Sequence, residues 1–322
     1  MENSKIVWAL LDNRTGHRNQ ILGILSKLNF KYKAVEIKYN FLAFLPNFFF
    51  QIFNNNLHVC SIKYLIKEPY PDLIISCGRR TATIALALKK KFKFRPFCVH
   101  LMYPRFTLFK KNFNLIFTPN HDSVKKSKFI RKFLGSPSNV ELKKIKNHDY
   151  VKPVFFLLIG GDHGKYKLSR NEVKELIYKV TSKLNNKATI LISTSRRSSK
   201  EIIEEVDKMK NTLKIIKEVF HPNKSSCENP YHKFLSIADE IIATGDSMSM
   251  LSDACETYKP VRIYYNDSFC SKKNIRFCEN LIREKYAFSF ETLGHKCTIL
   301  KTLRTSEKIA LEIKRSLENE KN

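Results

Sequence analysis

The sequence has few features that would tie the chain together covalently or bind a metal ion. Its 322 residues include eight cysteines, and none of them forms a C-x-x-C pair. Scattered cysteines inside apolar segments are typical of reduced cytosolic thiols rather than of a disulfide framework or a zinc site. We therefore expect no disulfides, no bound metal and no other cofactor.

Long apolar runs and an export signal are also absent from the sequence. No segment approaches the ~18 consecutive apolar residues that a membrane-spanning helix requires. The first residues, MENSKIVWALLDNRTG, lack the apolar core of a signal peptide and lead directly into a strand pattern. These absences predict a cytoplasmic protein.

The most apolar stretch covers residues 41–53 and is interrupted by Pro46. Because lysines stand on either side of it, it could dip into the headgroup region of an anionic membrane. That interpretation predicts a peripheral position on the inner face of the membrane. The alternative is that its phenylalanines pack against the sheet of the first domain.

Negative charge is scarce, with 30 Asp and Glu residues against 58 Lys and Arg, and the net charge is +28. An excess of this size fits a nucleic acid, an anionic membrane or a phosphorylated substrate as partner. It also fits the lysine-rich composition of proteins from AT-rich genomes. No aromatic-plus-basic RNA motif or zinc-finger spacing accompanies the charge, so we expect no nucleic-acid partner.

The chain does contain a repeated alternation of strand, turn and helix patterns, which predicts an α/β protein. With 43% hydrophobic and 27% charged residues it is globular, and its length suffices for two domains. The alternation stops between Gly135 and Lys152, which indicates a linker. We place the first domain at residues 1–149 and the second at residues 150–304.

Three strand-to-helix turns in the second half carry glycines, hydroxyl groups and arginines. In a parallel sheet such turns lie at one edge, where helix starts attract phosphate. The candidate phosphate-binding residues of these turns are Gly160, Gly161, Thr194, Ser195, Arg196, Arg197, Gly245, Asp246, Ser247 and Ser249. Asp253 lies about two turns into the last of the three helices, where it could accept hydrogen bonds from a ribose.

The first half offers candidate acid–base groups and an anion site. His17 ends the turn DNRTGH and would act as a general base or, alternatively, cap the helix. Arg79 and Arg80 start a helix directly after a strand that ends at Gly78, which favours an anion. Asp122 follows a later strand and is a second candidate acid or base.

Several motifs occur in an order that resembles the mitochondrial fission ELM family. They are GH-x-NQ, PDLIISCGRRTA, TPNHD, LLIGGDHGKY, STSRR, NPYHKFLSIADEIIATGDSMSMLSDA and KPV, within residues 6–265. The family contains plant fission factors and many bacterial homologues that are regarded as GT-B glycosyltransferases. More remotely, the layout is similar to the glycosyltransferase that makes lipid II of peptidoglycan.

The resemblance implies a GT-B fold, in which two Rossmann-like domains enclose a cleft. It implies that a last helix, at about residues 305–322, packs back on the first domain. The second domain would bind a nucleoside-diphosphate sugar through the turn residues named above. Asp253, seven positions before Pro260, would bind the ribose, and the family usually has Glu there.

The resemblance also implies an acceptor for the first domain, namely a lipid-linked or lipopolysaccharide-type glycan at the membrane. His17 or Asp122 would deprotonate its hydroxyl group. The residues expected to contact the acceptor are Gly16, Gln20, Arg79, Arg80 and Arg105.

Two other functions stay open at this point. The protein could be a non-catalytic adaptor on a membrane, as the plant members are thought to be. It could also be a sugar-nucleotide epimerase with the same two-lobed layout. An adaptor would need neither His17 nor Arg196, whereas an epimerase would need no membrane and no second substrate.

Overall fold

A computed structural model describes residues 5–45, 69–105, 107–125, 127–140, 142, 145, 149–184, 187–224, 228–299 and 301–320. Most of the apolar stretch at residues 41–53 lies outside them, so the two predictions for its packing cannot be compared with the structure. The chain divides into two compact units, one of Met1–Asn139 with Arg304–Asn322 and the other of Val140–Leu303.

The division between the units falls earlier in the chain than the boundary predicted after residue 149. On one side of it, the Ser138 backbone N–H donates to Ser306 Oγ at 2.9 Å, which ties this residue to the first unit. On the other side, the hydroxyl group of Tyr150 donates to Glu218 of the second unit. These contacts tie the chain before and after the division to different units.

Strands and helices alternate through most of both units. The strands are β1 Val7–Leu11, β2 Tyr32–Glu36, β3 Leu73–Cys77, β4 Phe97–Leu101, β5 Leu115–Pro119, β6 Ile130–Phe133, β7 Val154–Ile159, β8 Thr189–Thr194, β9 Ile216–Phe220, β10 Glu240–Thr244, β11 Val261–Tyr264 and β12 Phe288–Ser289. The helices are α1 Thr15–Leu28, α2 Arg79–Lys91, α3 Arg170–Leu184, α4 Lys200–Thr212, α5 Tyr231–Ile237, α6 Met248–Ala254, α7 Lys272–Arg283 and α8 Thr305–Asn319. None of the described helices combines the length and the apolarity that crossing a bilayer requires.

The sheet of the first unit has the strand order β2-β1-β3-β4-β5-β6, and all its pairings are parallel. Every residue of β1, β3, β4 and β5 is buried, as expected for central strands that helices cover on both faces. Helices α1 and α8 share one core with the sheet, through residues such as Ile24 and Ile313. Helix α2 packs into the core of the opposite face, through residues such as Ile84 and Leu88.

The sheet of the second unit has the order β12-β11-β10-β7-β8-β9, and it too is parallel throughout. All six residues of β7 and of β8 are buried. Helices α3 and α4 bury apolar side chains such as Leu176, Ile177, Ile202 and Val206 in the core of this unit.

Each sheet has one point at which the chain changes its direction of winding. In the first unit this switch point lies between β1 and β3, and in the second it lies between β7 and β10. Open α/β sheets bind ligands beyond the carboxyl ends of the strands at such a point. The turns after β1, β3, β7 and β10 are therefore the positions at which a ligand site is expected.

Candidate functional site

The switch point of the second unit is built around the buried carboxylate of Asp246. Its side chain is 1% exposed. The Gly161 N–H donates to Asp246 Oδ2 at 2.8 Å, and the hydroxyl group of Thr244 donates to Oδ1 at 2.6 Å. The Gly160 N–H in turn donates to Thr244 Oγ1 at 2.8 Å. Burial raises the pKa of the Asp246 carboxyl, although these hydrogen bonds oppose the change. Asp246 therefore links the turn after β7 to the turn after β10.

The turn after β8 joins the same cluster through Arg197 and Ser198. Arg197 Nη2 lies 3.5 Å from Asp246 Oδ2, and Nη1 donates to the Asp162 carbonyl at 3.1 Å. The hydroxyl group of Ser198 donates to the carbonyl of Gly160. Because the Arg197 side chain is still 37% exposed, it retains surface for an anionic ligand. The three predicted turns of the second half thus come together at one sheet edge.

The glycines of these turns make room for neighbouring turns of the protein. A Cβ atom at Gly160 would overlap the carboxylate of Asp246, and one at Gly161 would overlap the backbone of Arg197. A Cβ atom at Gly245 would lie 2.5 Å from the Cβ atom of Tyr265. These glycines therefore have a structural role that requires no ligand: they let one turn pack closely against another.

The residues predicted at the start of α6 differ in their exposure. Ser247 precedes the helix and is buried, whereas Ser249 is exposed. Helix α6 has seven residues, and the Ser247 side chain makes no capping hydrogen bond. Asp253 is half-buried, and its Oδ2 accepts a hydrogen bond from the hydroxyl group of Tyr231 at 3.1 Å. Burial, together with the charge of Asp253, raises the pKa of Tyr231.

Two supporting residues were missed in the sequence. Tyr231, on α5, orients Asp253. Asn274, on α7, donates from Nδ2 to the backbone carbonyls of Gly245 at 3.2 Å and Asp246 at 2.7 Å. Both lie more than twenty residues from their partners in the chain, so spacing alone offered no signal for them.

A third missed residue, His221, joins Thr194 to Asp207. Thr194 ends β8 and is buried, and its Oγ1 lies 2.9 Å from His221 Nδ1. His221 Nε2 lies 2.9 Å from Asp207 Oδ1. Because a carboxylate only accepts hydrogen bonds, the neutral ring carries its hydrogen on Nε2, and Nδ1 then accepts from Thr194. Burial opposes ionisation of Asp207, but hydrogen bonds from His221 and Lys224 prevail and lower its pKa. The position of His221 directly after a strand was the available sequence signal.

The turn after β8 also contains Ser195 and Arg196. Arg196 is exposed, and its carbonyl accepts from Asn223 Nδ2 at 2.8 Å. The Ser195 hydroxyl accepts from the Arg197 N–H at 3.0 Å and so shapes the turn. A pocket of about 470 Å³ is lined by Asp162, Lys167, Leu168, Ser169, Arg170, Ser199 and Glu201. None of the predicted nucleotide-binding residues lines this pocket.

The switch point of the first unit contains a buried aspartate and a histidine. Asp12 directly follows β1, and its side chain is 2% exposed. Its Oδ2 lies 2.9 Å from His17 Nδ1, and its Oδ1 accepts from the Arg14 N–H at 3.0 Å. Since Asp12 can only accept, the neutral His17 ring carries its hydrogen on Nδ1 and presents Nε2 as a base. The His17 side chain is 19% exposed and so retains access to a substrate.

The turn after β3 lies directly against this histidine. A Cβ atom at Gly78 would overlap the His17 ring, and Gly78 has a φ of +82°. Gln20, one helical turn after Gly16, accepts from Cys77 Sγ at 3.6 Å. Gly16 is exposed in the first turn of α1, with nothing within 4 Å of the place a Cβ would take. His17, Gln20 and the turn at Gly78 therefore form one cluster.

The two predicted arginines stand at the start of α2, beside that cluster. Arg79 Nη1 donates to the Leu45 carbonyl at 2.5 Å. The Arg80 guanidinium lies over the Tyr39 ring, 5.1 Å from its centroid. Burial raises the pKa of Tyr39, and the charge of Asp12 raises it further.

The remaining predicted residues of the first unit lie elsewhere on the sheet. Asp122 follows β5, which is separated from β1 by β3 and β4. At the usual strand spacing this places β5 roughly 14 Å from β1. The hydroxyl group of Thr118 donates to Asp122 Oδ2 at 3.4 Å. Arg105 is exposed in the segment after β4. The structure thus pairs His17 with Asp12 and not with Asp122.

Comparison with known sequences relates the chain to one family and to two curated proteins. The family described as "Mitochondrial fission ELM1" matches residues 15–317. "Uncharacterized protein RP120" of Rickettsia prowazekii (strain Madrid E) is 29% identical, over 98% of this chain and 99% of that protein. "Mitochondrial fission protein ELM1" of Arabidopsis thaliana is 24% identical, over 68% of this chain and 57% of the plant protein.

Comparison with solved structures identifies the fold. The glycosyltransferase SnogD from Streptomyces nogalater is similar with a TM-score of 0.53 at 12% identity, over 98% of this chain and 96% of that chain. The UDP-GlcNAc 2-epimerase from Methanocaldococcus jannaschii gives a TM-score of 0.50 at 16% identity, over 96% of this chain and 99% of that chain. The predicted α/β fold of the GT-B type, with two Rossmann-like domains, is confirmed.

Proposed function

The chain belongs to the mitochondrial fission ELM1 family, and from this premise we propose that it is a glycosyltransferase that uses a nucleoside-diphosphate sugar. One observation carries the proposal. The turns after β7, β8 and β10 are joined at the switch point of the second unit by contacts among Gly161, Arg197 and Asp246. A switch point with donors and cations is where parallel α/β sheets bind nucleotides.

The second unit would hold the nucleotide sugar in the following way. Arg196 and Arg197, whose side chains are exposed, would neutralise the diphosphate. Ser249 is exposed and offers a hydroxyl group, while Asp253 would accept hydrogen bonds from the ribose. The hydrogen bond from Tyr231 supports this role of Asp253, because it fixes the rotamer of the carboxylate. Cationic side chains can stabilise the leaving diphosphate without a metal ion.

The first unit would supply the base and bind a glycan or lipid-linked acceptor at a membrane. His17 Nε2 would take the proton of an acceptor hydroxyl group. The acceptor oxygen then bonds to the anomeric carbon of the sugar, and the bond from that carbon to the diphosphate breaks. Asp12 would stabilise the imidazolium that forms, through its contact at 2.9 Å.

Calorimetric titration with nucleoside diphosphates of each base, and with their common sugar esters, tests the proposal. We expect one of them to bind, and Asp253→Asn to weaken that binding roughly ten- to a hundredfold, as for loss of a charged hydrogen bond. Asp267→Asn is the matched control, because Asp267 is an exposed aspartate of the same unit. Absence of heat with every nucleotide, in protein that melts cooperatively, would refute it.

Binding of a nucleotide sugar would not by itself distinguish an epimerase from a transferase. An epimerase converts the nucleotide sugar by itself, whereas a transferase needs an acceptor and releases the nucleoside diphosphate. Incubation of the protein with the identified nucleotide sugar, followed by NMR of the sugar, distinguishes them. Appearance of an epimer in the absence of any acceptor would contradict a transferase.

A second candidate function, a non-catalytic protein of this fold, is favoured by one specific observation. The polar groups at the switch point of the second unit already satisfy one another, because Asp246 is 1% exposed and binds Thr244, Gly161 and Arg197. Such a cluster would stabilise the fold even in a protein that binds no nucleotide. The titrations above decide between the two, since an adaptor of this kind predicts no nucleotide binding.

A further inference from the structure

Three guanidinium groups gather at the switch point of the first unit. Arg79 and Arg80 begin α2, and Arg14 stands in the turn that precedes α1. Burial lowers the pKa of Arg79, and the positive charges of Arg80 and Arg14 lower it further. The turn that contains Arg14 lies beside the start of α2, because β1 and β3 are neighbouring strands and the His17 ring packs against Gly78. The three residues therefore lie at one place on the sheet edge.

Little in the described part of the chain offsets this positive charge. No carboxylate among the described residues forms an ion pair with Arg14 or Arg80. Arg80 Nε is buried and, within the same part of the chain, has no hydrogen-bond partner. The carboxylate that reaches this neighbourhood, Asp12, is 2% exposed and already binds His17 and the Arg14 N–H. A buried donor without a partner is costly, so an additional acceptor at this place would stabilise it.

The backbone adds further donors at the same position. Helix α2 has thirteen residues, and Gly78, which caps it, provides no side chain to bind the first N–H groups. The start of a helix of this length carries partial positive charge that favours an anion. The helix start and the arginine cluster are independent features, and they point to the same ligand chemistry.

We propose that Arg14, Arg79 and Arg80, with the start of α2, bind a phosphoryl group carried by the acceptor, as a phosphate ester or a diphosphate. A single carboxylate would be matched by one bidentate guanidinium, whereas three guanidiniums and helix N–H groups suit a dianion with several oxygens. The His17 ring packs on Gly78, next to Arg79 in the chain, so the anion lies beside the proposed base. The assignment of this phosphoryl group to the acceptor rests on the proposed function. The anion site itself does not depend on it.

The experiment uses inorganic pyrophosphate as probe and phenylglyoxal, which modifies arginine side chains, as reporter. The full-length protein is treated with and without pyrophosphate, and the modified peptides are quantified by mass spectrometry. We expect pyrophosphate to protect the peptides that contain Arg14, Arg79 and Arg80. Protection identifies the site by position, so that anion binding in the second unit cannot be mistaken for it.

Variants then measure the contribution of the arginines to the dissociation constant of pyrophosphate at this site. Arg80→Gln should weaken binding roughly ten- to a hundredfold, the range for one lost charge-assisted hydrogen bond. Arg14→Gln is a second variant with an exposed side chain, in case Arg80→Gln fails to fold. Arg95→Gln is the matched control, because exposed Arg95 follows the opposite end of α2, roughly 20 Å away. The proposal would be overturned if pyrophosphate left Arg14, Arg79 and Arg80 unprotected. It would also be overturned if Arg95→Gln weakened pyrophosphate binding as much as Arg80→Gln does.

Two sources of the phosphoryl group, a soluble ester and a phospholipid headgroup, are distinguished by vesicles. Phosphatidylcholine vesicles with and without phosphatidylglycerol replace pyrophosphate in the same protection assay. Protection by the anionic vesicles, but not by phosphatidylcholine vesicles, assigns a headgroup. Protection by pyrophosphate without protection by either kind of vesicle assigns a soluble ester. If pyrophosphate protects the first unit while no nucleotide binds the second, this inference stands and the transferase proposal fails.

Discussion

His17 Nδ1 lies 2.9 Å from Asp12 Oδ2, at the point where β1 ends and α1 begins. The two residues are five positions apart, and the aspartate is almost completely buried while the histidine is partly exposed. This is the geometry that orients an imidazole as a base, because the carboxylate fixes which ring nitrogen carries the hydrogen. The pair would suit a proton transfer from any hydroxyl group that reaches Nε2.

We expect Asp12→Asn to change the tautomer of His17. An amide can donate to Nδ1, so the neutral ring would shift its hydrogen to Nε2 and lose its basic nitrogen on the exposed side. Two-dimensional ¹⁵N–¹H NMR of the neutral imidazole reads the tautomer without any substrate. In a transfer assay the same variant should lose activity about a hundredfold or more, as for loss of a general base.

Asp122→Asn is the comparison that decides which carboxylate serves His17. Its strand is three positions from β1, so the His17 tautomer should not respond to this change. A change in the His17 tautomer in Asp122→Asn, or no change in Asp12→Asn, would contradict the pairing of His17 with Asp12.

Gly78→Ala should destabilise the first unit and displace His17. The new methyl group would overlap the imidazole ring, and the φ of +82° is a conformation that alanine rarely adopts. Backbone strain of this kind costs on the order of 1–3 kcal/mol. Urea unfolding measures the loss, and Gly164→Ala is the control, because Gly164 has a φ of +61° with nothing within 4 Å. A loss no larger than that of Gly164→Ala would show that the ring moves aside without cost.

The fold could be predicted from the sequence because its signals are local. Buried strands such as β1 and β7 are runs of apolar residues, and each is followed by a turn of small or polar residues. Their repetition along the chain indicated parallel α/β units, and the GT-B fold is confirmed. The Asp12–His17 pair was also within reach, since both residues belong to one turn.

The organisation of the second unit could not be predicted in the same way. Gly161 and Asp246 are 85 positions apart, and only the fold brings them to 2.8 Å. A glycine in a turn signals close approach, but the sequence does not reveal whether a ligand or the protein approaches. At Gly160 the structure answers this, because the carboxylate of Asp246 occupies the space.

The buried Asp246 should make the protein less stable as the pH rises through the acidic range. Burial raises the pKa of this carboxyl in the folded state, so the folded protein binds its proton more tightly than the unfolded chain does. Stability from this group is therefore full below the ordinary pKa of aspartate and is lost as the pH rises through the higher, folded pKa.

The difference between wild type and Asp246→Asn isolates this effect from other carboxyl groups. The free energy of unfolding of wild type, minus that of the variant, should fall as the pH rises from about 4, where aspartate ordinarily titrates, and then level off. Urea unfolding at a series of pH values gives both curves. A difference that rises over this range would mean that the folded state favours the ionised carboxyl, contrary to our prediction.

Thr194→Val should destabilise the second unit because it removes the hydrogen that His221 Nδ1 accepts. His221 is buried and held by Asp207, so Nδ1 would be left without a partner, at a cost of about 1–3 kcal/mol. Thr189→Val, on the same strand, is the matched control: Thr189 Oγ1 is buried and has no hydrogen-bond partner in the described part of the chain. That substitution should leave stability unchanged or raise it, since it removes a buried hydroxyl group that binds nothing. Urea unfolding of both variants measures the contrast. Equal losses at the two positions would mean that the contact between Thr194 and His221 contributes nothing to stability.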